Sequence, residues 1–192
     1  MKCEICNEKA VSLHPVLCKE HFDEFILETV KETIDRWKLI NNRETIVVAV
    51  SGGKDSLATL DVLSRLGYTV QGLFINEGIE GYRSHSQDDL KKFCMENSIH
   101  YTEVSFQDEF GFTLDEAVVT RKFHPCTTCG TLRRYLLNKH ANQFDVIATG
   151  HNLDDESQTI MINLFRANTD LFSRLGPKTA ASKWFVKKIK PL

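Results

Sequence analysis

The 192-residue sequence contains no apolar run that approaches the roughly 20 residues needed to cross a membrane. Its first residues, Met1 to Cys6, also lack the apolar core of a secretory signal. We therefore expect a cytoplasmic protein with no membrane partner. In a reducing compartment, six cysteines favour metal binding or redox chemistry over structural disulfides. We also find no internal repeat and no low-complexity segment.

The overall composition is typical of a globular protein, with 42% hydrophobic and 26% charged residues. The net charge of −2 conceals an uneven distribution. Residues 121–192 carry 12 Lys/Arg against 5 Asp/Glu, whereas residues 1–120 are acidic. A basic C-terminal portion is suited to a polyanion such as RNA, although solvated surface lysines would give the same count.

The first 21 residues contain two short pairs of metal-ligand residues. Cys3 and Cys6 are separated by two residues, and so are Cys18 and His21. Three thiolates and one imidazole can close a tetrahedral zinc site that leaves no open position for catalysis. We therefore predict a structural zinc module over residues 1–21, in which the metal replaces a hydrophobic core.

The next unit, residues 22–43, is predicted to be a connecting helix, and the helical pattern itself spans 19–41. Apolar residues recur there at three- and four-residue steps and form one stripe. These residues are Phe22, Phe25, Ile26, Val30, Ile34, Trp37 and Ile40. We expect the stripe to dock the zinc module onto the main domain.

Residues 44–192 alternate predicted strands and helices, which indicates an α/β fold with a doubly wound parallel sheet. Strands are predicted at 45–50, 69–75, 100–106 and 144–149, with an edge strand at 184–190. Helices are predicted at 55–66, 86–97, 127–141 and 153–167, with shorter ones within 113–122 and 169–175. Ligands of such sheets bind beyond the carboxyl ends of the strands.

The sequence Ser51-Gly-Gly-Lys-Asp-Ser56 joins the first of these strands to a helix. Glycines let backbone N–H groups approach an anion closely, and a helix N-terminus adds its positive dipole. The spacing differs from that of a Walker A loop, because the two glycines are adjacent. It resembles instead the PP-loop of the N-type ATP pyrophosphatases. A glycine turn with only a connecting role is the alternative.

A second polar segment, Gly150-His-Asn-Leu-Asp-Asp-Glu156, follows the strand at 144–149. Helix capping by Asn152 or Asp154 would explain one polar residue but not three carboxylates. We expect an acidic group here to hold Mg²⁺ against ATP phosphates. Asp154 or Asp155 could also orient the nucleophile or accept a proton.

Cys126 and Cys129 form a second Cys-x-x-Cys pair, at a helix start that follows Pro125. Such a position favours the thiolate form. The pair could be a redox disulfide, a persulfide carrier or two ligands of an iron–sulfur cluster; a second zinc site or two inert buried thiols is the alternative. Arg133 and Arg134, one turn further along, could meet an anionic substrate; a solvated helix face is the alternative. Cys94 is interpreted as a core thiol.

Together these four motifs resemble the TtuA/NcsA branch of the TtcA-like tRNA thiolases, over essentially the whole chain. The resemblance implies an enzyme that adenylates the C2 oxygen of a tRNA uridine with ATP and replaces it with sulfur, giving 2-thiouridine. It implies ATP, Mg²⁺, zinc and a 4Fe–4S cluster as cofactors. It implies tRNA, a sulfur donor (sulfide or a ubiquitin-like thiocarboxylate protein) and a second copy of the chain in a homodimer as partners.

The resemblance also assigns site residues. Cys126 and Cys129 match cluster ligands, Arg133 a basic catalytic residue, and Asp154 or Asp155 a catalytic acid. The expected nucleotide-binding residues are Ala49, Val50, Ser51, Gly52, Gly53, Lys54, Asp55, Ser56, Phe74, Ile75, Thr149 and Gly150. The third cluster cysteine and a second zinc module would lie beyond Leu192, so we expect a C-terminally truncated chain. A non-thiolating PP-loop enzyme and a nucleotide- and zinc-binding scaffold are the competing functions.

Overall fold

The computed structural model describes residues 1–41, 43–81, 84–121 and 124–192. A six-stranded sheet forms its centre, in the order β3-β2-β1-β4-β6-β5. The strands are β1 (Ile46–Val50), β2 (Val70–Asn76), β3 (Tyr101–Ser105), β4 (Val146–Thr149), β5 (Lys178–Thr179) and β6 (Lys187–Ile189). All neighbouring pairs are parallel except β5 with β6. The predicted α/β fold with a mostly parallel sheet is thereby confirmed.

Seven α-helices and one 3-10 helix are found in the described part of the chain. They are α1 (Lys19–Trp37), α2 (Lys54–Arg65), α3 (Ser84–Glu96), α4 (Phe106–Phe110), α5 (Leu114–Arg121), α6 (Pro125–Ala141), α7 (Leu153–Phe165) and the 3-10 helix Thr169–Arg174. None of the described helices is long and apolar enough to cross a bilayer. The connecting helix was predicted to end at residue 43, next to residue 42, which lies outside the described residues. The helix predicted within 113–122 ends at residue 122, which also lies outside them, as does residue 123.

Two hydrophobic clusters cover the two faces of the sheet, because successive strand residues point to opposite sides. One cluster joins Val48 and Phe74 to α1, α2 and α3. The other joins Val47 and Leu73 to Leu136 of α6. Strand order runs outwards from β1 in both directions, which places a topological switch point between β1 and β4.

The apolar stripe of α1 is narrower than predicted. Val30 and Ile34 are buried in the main core, but Trp37 is 56% exposed. The helix ends at Trp37 because Lys38 adopts the left-handed conformation, with φ of 48°. Ile40 is buried after the helix has ended. The helix is therefore part of the main core rather than only a connection to it.

The prediction of an edge strand near the end of the chain is wrong in one respect. β6 lies between β4 and β5, so it is an inner strand and β5 forms the edge. Two residues of β5 are too few to give a sequence signal. The short helix α4 was also missed; it is capped by Ser105, whose side chain accepts a hydrogen bond from the N–H of Asp108.

Candidate nucleotide and sulfur-transfer site

The loop between β1 and α2 is shaped by its serines and glycines. The Ser51 N–H donates to Ser56 Oγ at 3.1 Å, and this hydroxyl donates to the Gly53 carbonyl at 2.9 Å. Gly52 has φ of 77°, and a side chain there would collide with the carbonyl of Ser86 on α3. Gly53 is the N-cap of α2 and has no side chain to cap it. The first turn of α2 is thus suited to an external anion.

A cavity of about 390 Å³ opens beside this loop, at the carboxyl ends of β1, β2 and β4. Ten of the predicted site residues line it. They are Ala49, Val50, Ser51, Gly53, Asp55, Ser56, Ile75, Arg133, Thr149 and Gly150. The remaining predicted residues of the main domain, all described, do not line it: Gly52, Lys54, Phe74, Cys126, Cys129, Asp154 and Asp155.

Phe74 lies on the opposite side of the sheet from the cavity. Its side chain is completely buried in the cluster formed with α1, α2 and α3, while its neighbours Leu73 and Ile75 belong to the cavity side. The alternation of a strand allows no other arrangement. Any nucleotide contact at position 74 would therefore use the backbone.

Gly150 brings the end of β4 against the start of α2. A methyl group at this position would lie 2.7 Å from the carbonyl carbon of Asp55 and from the backbone nitrogen of Ser56. Glycine is therefore required at position 150 because two backbone segments are in close contact there. The contact fixes the distance between the β1–α2 loop and the segment after β4.

The predicted phosphate-binding Lys54 is 87% exposed and forms an ion pair with Asp55 at 2.8 Å. The hydrogen bond to Asp55 raises the pKa of Lys54, and the charge of Asp155 raises it slightly further. Asp155 therefore lies within electrostatic range of the loop. This agrees with the expected meeting of the two motifs at one sheet edge.

Each carboxylate after β4 has a different environment. Asp155 forms a capping box with Asn152, which is the N-cap of α7. Glu156 pairs with Lys190 at 2.5 Å. Burial is the largest effect and opposes ionisation, but the hydrogen bonds from Lys190 and the Gly176 N–H, together with the charge of Lys190, outweigh it and lower the pKa of Glu156. Asp154 is exposed, and its carboxylate has no hydrogen bond to a described residue. Helix capping thus explains Asn152 and Asp155 but not Asp154.

Arg133 lies on α6 and contacts a buried acid that the sequence did not reveal. Its Nη1 atom donates to Glu77 Oε1 at 3.2 Å, and the Glu77 side chain is 0% exposed. Both residues line the cavity. Glu77 follows β2 directly. An acid just beyond the carboxyl end of a strand was the one sequence feature that could have marked it as a site residue.

Arg134, expected with Arg133 to meet an anionic substrate, also lines the cavity. Five further lining residues were not predicted as site residues: Leu73, Gly130, Leu137, His151 and Lys188. Burial, followed by the charge of Lys188, lowers the pKa of His151. His151 Nδ1 lies 3.0 Å from Thr149 Oγ1. Lys188 could not be located from the sequence, because the inner position of β6 was not predicted.

Cys126 and Cys129 occupy the first turn of α6, which begins at Pro125 with His124 as N-cap. Cys126 is exposed and Cys129 is half-buried. Residues three apart lie on one helix face, so both thiols can reach one group. Cys94 is buried in the cluster on the other face of the sheet, as predicted. It is excluded as a third ligand beside the α6 pair.

The four predicted zinc ligands converge at the N-terminus. The ligand atoms of Cys3, Cys6, Cys18 and His21 all lie within 4.8 Å of one another. The Sγ atoms of Cys6 and Cys18 are 3.6 Å apart, and Cys18 Sγ lies 3.2 Å from His21 Nδ1. Tetrahedral zinc with Zn–S bonds of about 2.3 Å separates two sulfurs by about 3.8 Å. The donor set and its spacing therefore fit this metal.

Comparison with known proteins gives a consistent result. The PP-loop domain family matches residues 19–176. The chain is 42% identical to the tRNA-5-methyluridine(54) 2-sulfurtransferase of Pyrococcus horikoshii and 36% identical to that of Thermus thermophilus. Each alignment covers 100% of this chain but only 63% and 61% of those relatives. The chain thus spans about three fifths of their length.

A solved structure extends this similarity to three dimensions. The U34-tRNA thiolase NcsA from Methanococcus maripaludis, described with its [4Fe-4S] cluster, superimposes with a TM-score of 0.83 at 36% identity. The match covers 100% of this chain and 67% of that one. The similarity therefore includes the N-terminal cysteine segment as well as the sheet.

Proposed function

Since the chain belongs to the PP-loop domain family, in the group of TtuA/NcsA-type proteins, we propose that it thiolates tRNA in an ATP-dependent reaction. The product would be 2-thiouridine. One observation carries this proposal: α6 contributes Gly130 and Arg133 to the nucleotide cavity and bears Cys126 and Cys129 in its first turn. Activation by ATP and delivery of sulfur would thus meet at one helix.

In the first half-reaction, the C2 oxygen of the uracil ring attacks the α-phosphorus of ATP. The bond to the bridging oxygen breaks, and pyrophosphate leaves with the electron pair. The Ser51–Ser56 loop and the start of α2 bind that leaving group. As O2 attacks, the ring must lose its N3 proton, and the free carboxylate of Asp154 is our candidate acceptor. Asp155 is our candidate ligand for Mg²⁺.

In the second half-reaction, hydrosulfide attacks C2, and AMP leaves with the electrons of the C2–O bond. The proton that entered on sulfur moves to N3, which gives the thiocarbonyl. Cys126 and Cys129 would supply two thiolates to an iron–sulfur cluster, which when bound provides an iron site for the sulfur atom. A third thiolate would have to come from outside residues 1–192, because Cys94 lies on the other face of the sheet.

The remaining parts of the proposal concern structure and partners. Zinc bound by Cys3, Cys6, Cys18 and His21 would stabilise the N-terminal segment without taking part in the reaction. The sulfur donor would be sulfide or a ubiquitin-like thiocarboxylate protein, and the reaction would take place in the cytoplasm. Neither competing function, a non-thiolating enzyme or a scaffold, gives a reason for two cysteines beside a nucleotide cavity.

Mass spectrometry of nucleosides from cells that lack the gene would test the proposed function. We expect one 2-thiouridine derivative to disappear from tRNA. The wild-type gene should restore it, and so should Lys183→Met, a substitution of an exposed lysine outside the cavity. Cys126→Ser should not restore it. An unchanged set of thiolated nucleosides in the deletion strain would refute the proposal.

A further inference from the structure

Lys188 is the middle residue of β6. Its side chain lies on the opposite face of the sheet from the side chains of Lys187 and Ile189. The adjacent Lys187 pairs with Glu44, and Ile189 is buried in the cluster formed with α1, α2 and α3. Because side chains alternate along a strand, Lys188 faces the α6 side, where it lines the nucleotide cavity. Its register partner is Ile147, which belongs to the hydrophobic cluster on that same face.

The ammonium group of Lys188 stands in unusual surroundings for a cation. The residue is half-buried, and no hydrogen bond or ion pair joins its side chain to another described residue. Burial, then the charges of Lys190, Arg134 and Arg133, lower the pKa of Lys188 despite an opposing effect of Glu156. Burying an unpaired charge is unfavourable, so an anion bound beside Lys188 would stabilise its ammonium group.

Three other cations in or near the cavity are paired with carboxylates, whereas Arg134, which also lines it, forms no ion pair with a described residue. Arg133 donates to the buried carboxylate of Glu77, and Lys54 pairs with Asp55. Lys190, beyond the end of β6, pairs with Glu156. Unlike these three, Lys188 has no carboxylate partner among the described residues, so its charge is available to a ligand.

We propose that Lys188 binds the α-phosphate of the nucleotide. The inference rests on the proposed function and assigns one further residue to it. Lys188 pairs with Ile147, and Ile147 pairs with Val47, so Lys188 lies two strand spacings, about 10 Å, from β1. It is level with a point four residues before the Ser51–Ser56 loop. If the loop holds the terminal phosphates, the α-phosphate lies between the loop and Lys188. The Lys188 side chain lines the same cavity as Ser51 and Gly53 of the loop.

This contact would act in both half-reactions. While the uracil oxygen attacks and pyrophosphate departs, Lys188 would stabilise negative charge on the non-bridging oxygens of the α-phosphoryl group. It would then hold the same phosphoryl group as AMP leaves. No covalent bond to Lys188 forms at any stage.

Calorimetric titration with AMP, pyrophosphate and adenosine would test the assignment. For Lys188→Met, we expect AMP affinity to fall at least about tenfold, since a charge-assisted hydrogen bond is lost. Affinities for pyrophosphate and adenosine should change less than about twofold. Lys188→Arg should recover much of the AMP affinity. Lys183→Met, the matched exposed lysine, should bind all three ligands as the wild type does.

Each other outcome has a defined meaning. Unchanged AMP affinity in Lys188→Met would overturn the inference, and so would a larger loss for pyrophosphate than for AMP. Unchanged AMP affinity with weaker binding of tRNA, titrated in parallel, would overturn it in favour of a contact with an RNA phosphate. A wild-type protein that binds neither AMP nor pyrophosphate would refute the proposed function itself. Thermal unfolding of each variant confirms that it is folded before titration.

Discussion

Glu77 holds Arg133 at the wall of the nucleotide cavity, through a hydrogen bond of 3.2 Å from Nη1 to Oε1. The carboxylate is completely buried, whereas the Arg133 side chain is 44% exposed. A buried acid at the end of β2 thus orients a cation on α6 that reaches the cavity. The pair also joins the sheet to the helix that carries Cys126 and Cys129.

Replacing Glu77 by glutamine should impair catalysis more than folding. Glutamine keeps the size and one acceptor oxygen, but it loses the charge that orients Arg133. Because a misplacement of about 1 Å can cost up to 100-fold in rate, we expect tRNA-dependent release of pyrophosphate to slow at least about tenfold. Rate measurements at saturating ATP would separate this effect from weaker binding.

Glu109→Gln is the matched control for Glu77→Gln. Glu109 also accepts hydrogen bonds from α6, in its case from Lys139 and His140, but it does not line the cavity. Its replacement should leave the rate of pyrophosphate release unchanged. Equal effects of the two substitutions would mean that Glu77 only anchors α6 and does not position Arg133.

A methyl group at position 150 should push the segment after β4 away from the start of α2. In Gly150→Ala it would stand 2.7 Å from backbone atoms of Asp55 and Ser56, which cannot move aside as a flexible side chain can. We expect the free energy of unfolding to fall by about 1–3 kcal/mol and the affinity for ATP to fall markedly. Urea unfolding and calorimetry would measure the two effects.

Gly130→Ala provides the comparison, because it adds the same methyl group to the same cavity. Its nearest neighbour there would be the flexible tip of Arg134, at 3.4 Å. Gly130 lies inside α6, so alanine should stabilise the protein by about 0.5–1 kcal/mol. If Gly130→Ala lowered stability as much as Gly150→Ala, close contact of the backbones would not be the cause.

The sequence predicted the parts of the fold that depend on local patterns. β-branched runs marked β1 and β4, and the glycine loop marked the start of α2. The convergence of the four candidate ligands Cys3, Cys6, Cys18 and His21 was predictable because metal sites depend on short, fixed spacings. These features need only a few neighbouring residues to be detected.

The parts that depend on long-range pairing were not predictable in the same way. Lys188 enters the cavity because β6 pairs with β4, some 40 residues earlier in the chain, and no local pattern encodes this pairing. Glu77 was overlooked because an acid in a glycine-containing loop suggests solvent exposure, whereas tertiary packing buries it completely. The resemblance placed Phe74 near the nucleotide, whereas strand alternation turns its side chain to the other face of the sheet.

Removal of zinc should destabilise the N-terminal segment. In the described part of the chain, Cys3, Leu17, Cys18 and Phe22 form a small cluster separate from both main cores. So little apolar surface cannot hold a fold without metal. We expect one zinc per chain by elemental analysis, and a lower melting temperature after chelation or in Cys6→Ser. Cys94→Ala should retain the metal, and zinc-free wild-type protein with unchanged melting would argue against the site.

The ion pair of Glu44 and Lys187 should make stability depend on pH. It joins the segment before β1 to β6, with both side chains mostly buried and 2.6 Å between Nζ and Oε1. Burial alone would raise the pKa of Glu44, but hydrogen bonds from Lys187 and the Asn41 N–H outweigh it and lower the pKa. A lowered pKa means that the folded protein favours the ionised carboxylate. Its contribution is therefore complete above the ordinary glutamate pKa of about 4.3 and is lost as pH falls below it.

Urea unfolding of wild type and Glu44→Gln at several pH values would check this dependence. At pH 7 we expect the variant to be less stable by about 1.5–3 kcal/mol, the usual contribution of a charged hydrogen bond. The difference should shrink as pH falls below about 4.3, because the wild-type carboxylate then takes up a proton. Glu24→Gln, an exposed position on α1, should show no such difference at any pH. A difference for Glu44→Gln that stays constant from pH 7 to pH 3 would mean that the side chain stabilises the protein by packing rather than by its charge.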